Sequence, residues 1–244
     1  MHNSPLLKLE NLSKKYGAVT ALDNISLTIA PGQIVGLLGP NGSGKTTLIK
    51  TITGLLTDYS GQVNITGTPP GYLANSHIAY LPDRAHVPVW LKVSQAVELF
   101  ADFYADFDKT RAIHMLETMK IPPHMRLKQL SRGQGEKVQL SLVMSRRAKL
   151  YILDEPIGAV DPASRDFILD IILKNYNRDA SMLISTHIIS DIESILDRAI
   201  FLRDGKVIIQ GEADDIREAH GASLDSVFRQ VFRNTEGGVL PYAT

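Results

Sequence analysis

Residues 39–46 read GPNGSGKT, directly after the unbroken apolar run Ile34-Val35-Gly36-Leu37-Leu38 and directly before a segment whose apolar residues recur at helical spacing, LIKTITGLL. The octet fits G-x-x-x-x-G-K-[ST] in full. It also lies between an expected buried strand and an expected helix, the context that gives the pattern physical meaning. A strand apolar at every position suits burial on both faces, as in parallel sheets covered by helices. Glycines let the backbone curl so that several N–H groups face inward, and the helix that follows adds its positive N-terminal end. Gly39, Pro40, Asn41, Gly42, Ser43, Gly44, Lys45, Thr46 and Thr47 are therefore expected to wrap the phosphates of a nucleotide. Lys45 would reach the β- and γ-phosphates, and Thr46 would ligate Mg²⁺.

A second half-site lies in LYILDEP, residues 150–156. Its apolar start predicts another buried strand. Asp154 falls at the carboxyl end of that strand, outside which open parallel sheets bind ligands. Asp154 is expected to hold Mg²⁺, directly or through water. Glu155 is expected to point to the other side of the extended chain and to polarise an attacking water.

Around these two segments, Leu7 and Leu9 alternate with polar residues, as do Ile25, Leu27 and Ile29, predicting strands with one buried face. Ala30-Pro31-Gly32-Gln33 suits a type II turn. GQVNITG, HIAYLP and SMLIS read as further strands, FILDIILKNY as a helix, and AIFLRDGKVIIQG as a hairpin turning at Asp204-Gly205. From about Lys92 to Leu127 the pattern becomes helical. Val93, Val97, Phe100 and Tyr104 share one spacing, and Asp108 is placed to cap a helix carrying Ile113, Leu116 and Met119. Pro122-Pro123 is expected to end that helix.

The totals narrow the function classes. The 244 residues have zero formal net charge, so no global electrostatic footprint argues for nucleic acid or an anionic membrane surface. The absence of cysteine excludes disulfides, thiol chemistry and cysteine metal sites. No apolar stretch is long enough to span a bilayer, and no secretory leader is expected from MHNSPLLKLENLSKKYG.

With both half-sites in place, the chain resembles the ATP-binding cassette (ABC) transporter ATPases from about Leu7 to Ala213. LSRGQ, residues 130–134, stands where that family has its signature LSGGQ. The resemblance implies an α/β fold: a P-loop NTPase domain with a mostly parallel core sheet, an N-terminal antiparallel β-subdomain and an inserted helical subdomain. It implies one such domain over residues 1–234, the helical part at about 84–145, and a tail over 235–244. It also implies that two cassettes pack head to tail, the signature of one meeting the ATP held by the other. Ser131 would offer its hydroxyl and Gly133 an unobstructed N–H to the γ-phosphate, with Arg132 and Gln134 beside them. Tyr16 matches the aromatic residue that stacks on adenine, Asp161 the loop that links the two sites, and His187 the histidine that contacts the γ-phosphate.

Two positions depart from the family pattern. Asp83 stands where glutamine is usual; its carboxylate would ligate Mg²⁺ more strongly but cannot donate a hydrogen bond when ionised. Arg132 replaces the first glycine of the signature pair, restricting the backbone and adding positive charge. The activity implied is hydrolysis of ATP with Mg²⁺, Glu155 activating water and His187 orienting it. Hydrolysis would drive separate transmembrane permease subunits from the cytoplasmic side of the cell membrane, in the manner of bacterial antibiotic and peptide exporters. The second cassette would be an identical or a different chain. The alternatives are a nucleotide-sensing module with little turnover and a soluble relative acting on ribosomes or DNA; neutral charge and the lack of a heptad run count against the latter.

Overall fold

A computed structural model describes residues 4–84, 86–158, 162–177 and 179–233. The chain opens with two long strands, β1 (Leu7–Tyr16) and β2 (Val19–Ile29), then enters β3 (Ile34–Leu38), α1 (Lys45–Ile52) and β4 (Ser60–Ile65). A short helix, α2 (Tyr72–Asn75), leads to β5 (Ile78–Leu81). Three helices follow, α3 (Val93–Phe103), α4 (Lys109–Thr118) and α5 (Arg132–Met144). Then come β6 (Leu150–Asp154), α6 (Pro162–Lys174) and β7 (Ser181–Thr186). The hairpin β8 (Arg198–Arg203) and β9 (Lys206–Glu212) precedes α7 (Ala213–His220) and α8 (Leu224–Arg233).

The strands form two sheets. One is antiparallel, in the order β2-β1-β4; the other has the order β5-β6-β7-β3-β8-β9. Every pair in the second sheet is parallel except β8 with β9. The apolar runs explain the centre of this sheet, because β3, β6 and β7 are buried at every residue. Their side chains alternate between two cores. Val35, Leu37, Ile152 and Leu183 join Leu7, Leu9, Ile25 and Leu48 between the two sheets. Leu38, Leu153, Met182 and Ile184 face the opposite way, toward the helices. Each such buried aliphatic side chain contributes roughly 1.5–3 kcal/mol, so the phosphate loop leaves one of the most firmly held strands in the chain.

The helical insertion departs from the sequence reading in three places. α3 ends at Phe103, and Tyr104 is an extended, partly exposed residue after it rather than a member of its apolar face. Asp108 does cap α4, accepting from the Arg111 N–H at 3.0 Å, and that bond holds its carboxyl below the usual range. Ile113, however, is exposed, because Ala112, Met115 and Leu116 supply the face that packs inward.

Nor do the prolines end α4. The helix stops at Thr118, and Lys120 takes φ 55°. There the Lys120 N–H reaches Glu117 O and the Ile121 N–H reaches Leu116 O, both at 2.9 Å, which closes the helix with crossed bonds. Exposed Lys120 thus holds a conformation that costs an L-residue about 1 kcal/mol. Lys120→Gly is expected to raise stability by up to about that amount, read as a higher denaturant midpoint with an unchanged m-value. A lower midpoint would contradict it.

The sequence reading did not anticipate α7 and α8. Leu224, Val227, Phe228 and Val231 follow i, i+3, i+4, i+7 spacing, and they pack against the core on the helical side of the main sheet. Asp161 and the tail over 235–244 lie outside the described residues.

Candidate functional site

The loop after β3 turns into α1 at Gly44, which has φ 110°. A Cβ there would stand 2.7 Å from the carbonyl oxygen of Ala21, so glycine is needed for both conformation and space. The β8–β9 turn braces the same loop. Asp204 and Gly205 both have positive φ, as a two-residue hairpin requires, and the Gly205 N–H donates to Ser43 O at 3.0 Å. The sequence marked that turn, but not its support of the phosphate loop.

A cavity of about 650 Å³ opens over the start of α1, a volume within the roughly 300–1,000 Å³ of small-molecule sites. Asn41, Gly42, Lys45, Thr46 and Thr47 line it from the loop; Asp83, Arg132, Glu155 and His187 approach from other elements. Lys45 is buried, and its Nζ donates to Gly39 O at 2.7 Å and to Pro40 O at 3.2 Å. The same Nζ lies 3.3 Å from Glu155 Oε1, and His187 Nδ1 lies 3.0 Å from Glu155 Oε2. Lys45, Glu155 and His187 therefore form one continuous polar chain along the cavity, although 142 positions separate the first from the last in sequence.

Glu155 reaches this place by a route the sequence did not suggest. It does not continue the extended strand but takes φ 52°, a left-handed conformation rare for glutamate. Its N–H is held by Ser185, through the backbone carbonyl at 3.0 Å and the side-chain oxygen at 3.2 Å. Such strain persists only where the surroundings over-determine it, and it clusters at functional sites.

Asp154, the residue before it, is buried at the end of β6. Burial pushes its carboxyl above the usual carboxylate range, reinforced by the charges of Asp83 and Glu155 and opposed by the hydroxyls of Ser185 and Thr46. The Ser185 hydroxyl donates to Oδ1, whereas Oδ2 has no hydrogen-bond partner. A buried carboxylate oxygen left unpaired is costly, and hard oxygen ligands beside a phosphate site are the donors that Mg²⁺ prefers. Thr46 and Asp154 fit that cation. Ser185 escaped the sequence reading; the available signal was a serine inside a fully buried strand, which needs a partner.

Other expected residues are placed as follows. Tyr16 ends β1, half exposed, with Lys14 Nζ 4.9 Å from its ring centroid. The neighbouring cavity wall is made by Val19, Thr20 and Ala21. Ser131 caps α5: its hydroxyl accepts from the Gln134 N–H at 3.3 Å, while its own N–H donates to Gln134 Oε1 at 3.0 Å. A Cβ at Gly133 would meet nothing within 4 Å, so this helix start is sterically open. Arg132 is well exposed, with Nε 3.2 Å from Glu136 Oε1. Asp83 and Arg132 line both the nucleotide cavity and an adjoining cleft of about 350 Å³, which Ser131, Asp154 and Glu155 also face. Among the described residues, no three His, Asp or Glu side chains are grouped closely enough to hold a metal by themselves.

A phosphate loop after the central strand of a parallel sheet, with an Asp-Glu pair at the end of a nearby strand, defines a P-loop nucleoside triphosphatase. The chain belongs to the ABC transporter family, whose family model matches residues 22–158. It is 31% identical to the ABC-type transporter ATP-binding protein EcsA of Bacillus subtilis, over 95% of this chain and 98% of that one. It is 34% identical to the SkfA peptide export ATP-binding protein SkfE of the same organism, over 83% and 87%. The solved ATP-binding subunit of an ABC transporter superimposes with a TM-score of 0.82 at 29% identity, covering 93% of this chain and 99% of that one. The dimeric ABC transporter cassette MJ0796 matches with a TM-score of 0.74 at 25% identity, covering 84% and 98%. This chain is thus an ATP-binding, ATP-hydrolysing subunit of an ABC transporter. No helix among the described residues is long and apolar enough to cross a membrane.

Proposed function

We propose that two copies of this chain close head to tail on two molecules of ATP and, through hydrolysis, drive a separate transmembrane permease in the export direction. The contact chain Lys45–Glu155–His187 along the phosphate-loop cavity carries this reading. Lys45 and the loop N–H groups bind the β- and γ-phosphates, and Thr46 and Asp154 hold Mg²⁺, which when bound neutralises phosphate charge. Glu155 accepts the proton of the attacking water, and His187 holds the Glu155 carboxylate and meets the γ-phosphate. Tyr16 stacks on adenine at the cavity edge. Ser131 and Gly133 of one copy donate to the γ-phosphate of the other, with Arg132 and Gln134 flanking it. Asp161 joins the two sites, and Asp83 senses the phosphate end. The γ-phosphate thus makes more contacts in the closed state than in the open one, so its loss reopens the pair. Export is favoured by the likeness to SkfE, which is named for peptide export.

The chain would form one ABC ATPase domain over residues 1–234, with its helical part inserted at about 84–145, and would sit peripherally on the cytoplasmic face of the cell membrane. Its contact with the permease lies on the segment after Asp83 and the end of α3. Trp90 and Phe103 are 64% and 76% exposed there, and a shallow apolar depression lined by His86, Val87, Pro88 and Phe100 lies against Phe103. Exposed aromatic residues beside such a depression are typical interface anchors. Neither Trp90 nor Phe103 lines the nucleotide cavity. Phe103→Asp, or Trp90→Ala, is expected to cut co-purification with membrane proteins at least tenfold and leave basal ATPase within twofold of the parent. Undiminished membrane recovery of both variants would overturn this surface.

A further inference from the structure

Arg146 lies just beyond α5, at the end of that helix opposite Ser131, and is only 4% exposed. Its guanidinium is engaged on several sides. Nε donates to Asp106 Oδ1 at 2.8 Å, and one terminal nitrogen donates to Asp106 Oδ2 at 3.1 Å. The same nitrogen donates to Ser76 O at 3.0 Å, and the other reaches Ile78 O at 2.8 Å. The Tyr104 ring lies against the group, its centroid 3.9 Å from the guanidinium carbon. Backbone bonds tighten the same joint: Arg147 N–H to Asp106 O at 3.1 Å, and Asp108 N–H to Ser145 O at 2.7 Å.

These partners belong to three different bodies. Tyr104 and Asp106 form the turn between α3 and α4. Ser76 closes α2 and Ile78 begins β5, whose far end leads through Pro82 to Asp83. The arginine itself follows α5, which carries the Ser131–Gln134 run at its other end. One buried side chain therefore ties the helical insertion, the signature helix and the Asp83 strand together. Thirteen helical residues make a lever about 20 Å long. A tilt of about 5° at the joint moves the Ser131 end by roughly 2 Å, and misplacement by about 1 Å can cost on the order of 100-fold in rate.

We propose that Arg146 is a positioning residue for ATP hydrolysis, setting the angle between the signature helix and the strand that leads to Asp83. The inference rests on the closure of paired copies proposed above. Arginine is required because a planar fork can hold one carboxylate bidentately and two carbonyls at once, whereas a lysine ammonium cannot. Arg146 touches neither the nucleotide cavity nor the adjoining cleft, so its effect must pass through the joint.

The test uses the full chain with Arg146→Lys, Asp106→Asn and the double variant, measuring kcat, KM, the Kd of a fluorescent ATP analogue and the thermal midpoint. Asp106→Asn keeps the side-chain shape at a partly exposed position and guards against simple misfolding. The expected result is a 10- to 100-fold fall in kcat with Kd within twofold, and a double variant no worse than Arg146→Lys alone. Lower thermal midpoints with wild-type kcat in all three would reduce Arg146 to a structural staple and overturn the proposal. A parallel fall in nucleotide affinity would overturn it too, by placing the effect at the phosphate loop. Should the Glu155→Gln chain fail to pair on ATP while Asp106→Asn still lowers kcat, the paired-copy reading falls and the joint stands through its Asp83 arm.

Discussion

Lys45→Ala is expected to abolish measurable ATP hydrolysis and to weaken MgATP binding by at least 100-fold. The ammonium group is buried at the floor of the cavity, between the loop carbonyls of Gly39 and Pro40 and the Glu155 carboxylate. Each charge-assisted hydrogen bond to phosphate contributes about 1.5–3 kcal/mol, so losing two costs roughly 3 kcal/mol or more, beyond a factor of 100 in affinity. The fold should survive, because the aliphatic stem is the only packing lost and the two carbonyls it leaves open border a cavity that admits water. The measurement is a fluorescent-nucleotide titration beside a thermal melt. Tight MgATP binding by a folded Lys45→Ala chain would contradict the assigned role.

Glu155→Gln should separate the two steps that Lys45→Ala removes together. Turnover is expected to fall by about 10³-fold, within the range for loss of a general base, while ATP binding is retained or strengthened. The strengthening has a specific cause. Glu155 Oε1 lies 3.3 Å from Lys45 Nζ, and both side chains are largely buried, so arriving phosphate must compete with the carboxylate for the same cation. Glutamine removes that competitor and the repulsion between the carboxylate and the γ-phosphate. A tighter Kd together with lost turnover in single-turnover assays would fit this account. Unchanged turnover would remove Glu155 from the chemistry.

The parts of the site legible in the sequence are those fixed by local rules. The phosphate loop follows from glycines between an apolar strand and a helix, and its Gly44 and Lys45 fall where that reading puts them. Asp108 as a cap and Asp204-Gly205 as a turn follow from short-range backbone chemistry, and both form. What stayed hidden was set by residues far away in the chain. Glu155 is left-handed because Ser185, thirty positions later, holds its N–H. Ile113 faces outward because packing chose Ala112, Met115 and Leu116, which sequence periodicity alone could not rank. The Arg146 joint recruits Asp106, Ser76 and Ile78 over separations of 40 to 70 positions. α8 is a different case, since its i, i+3, i+4, i+7 spacing of Leu224, Val227, Phe228 and Val231 is local and present in the sequence.

The central claim is that the Ser131–Gln134 run of one copy completes the phosphate site of another. The most direct test is the solution molar mass of the Glu155→Gln chain by light scattering, with and without MgATP. The account predicts a monomer that doubles its mass when MgATP is added. A chain that binds MgATP and keeps its monomer mass would contradict it.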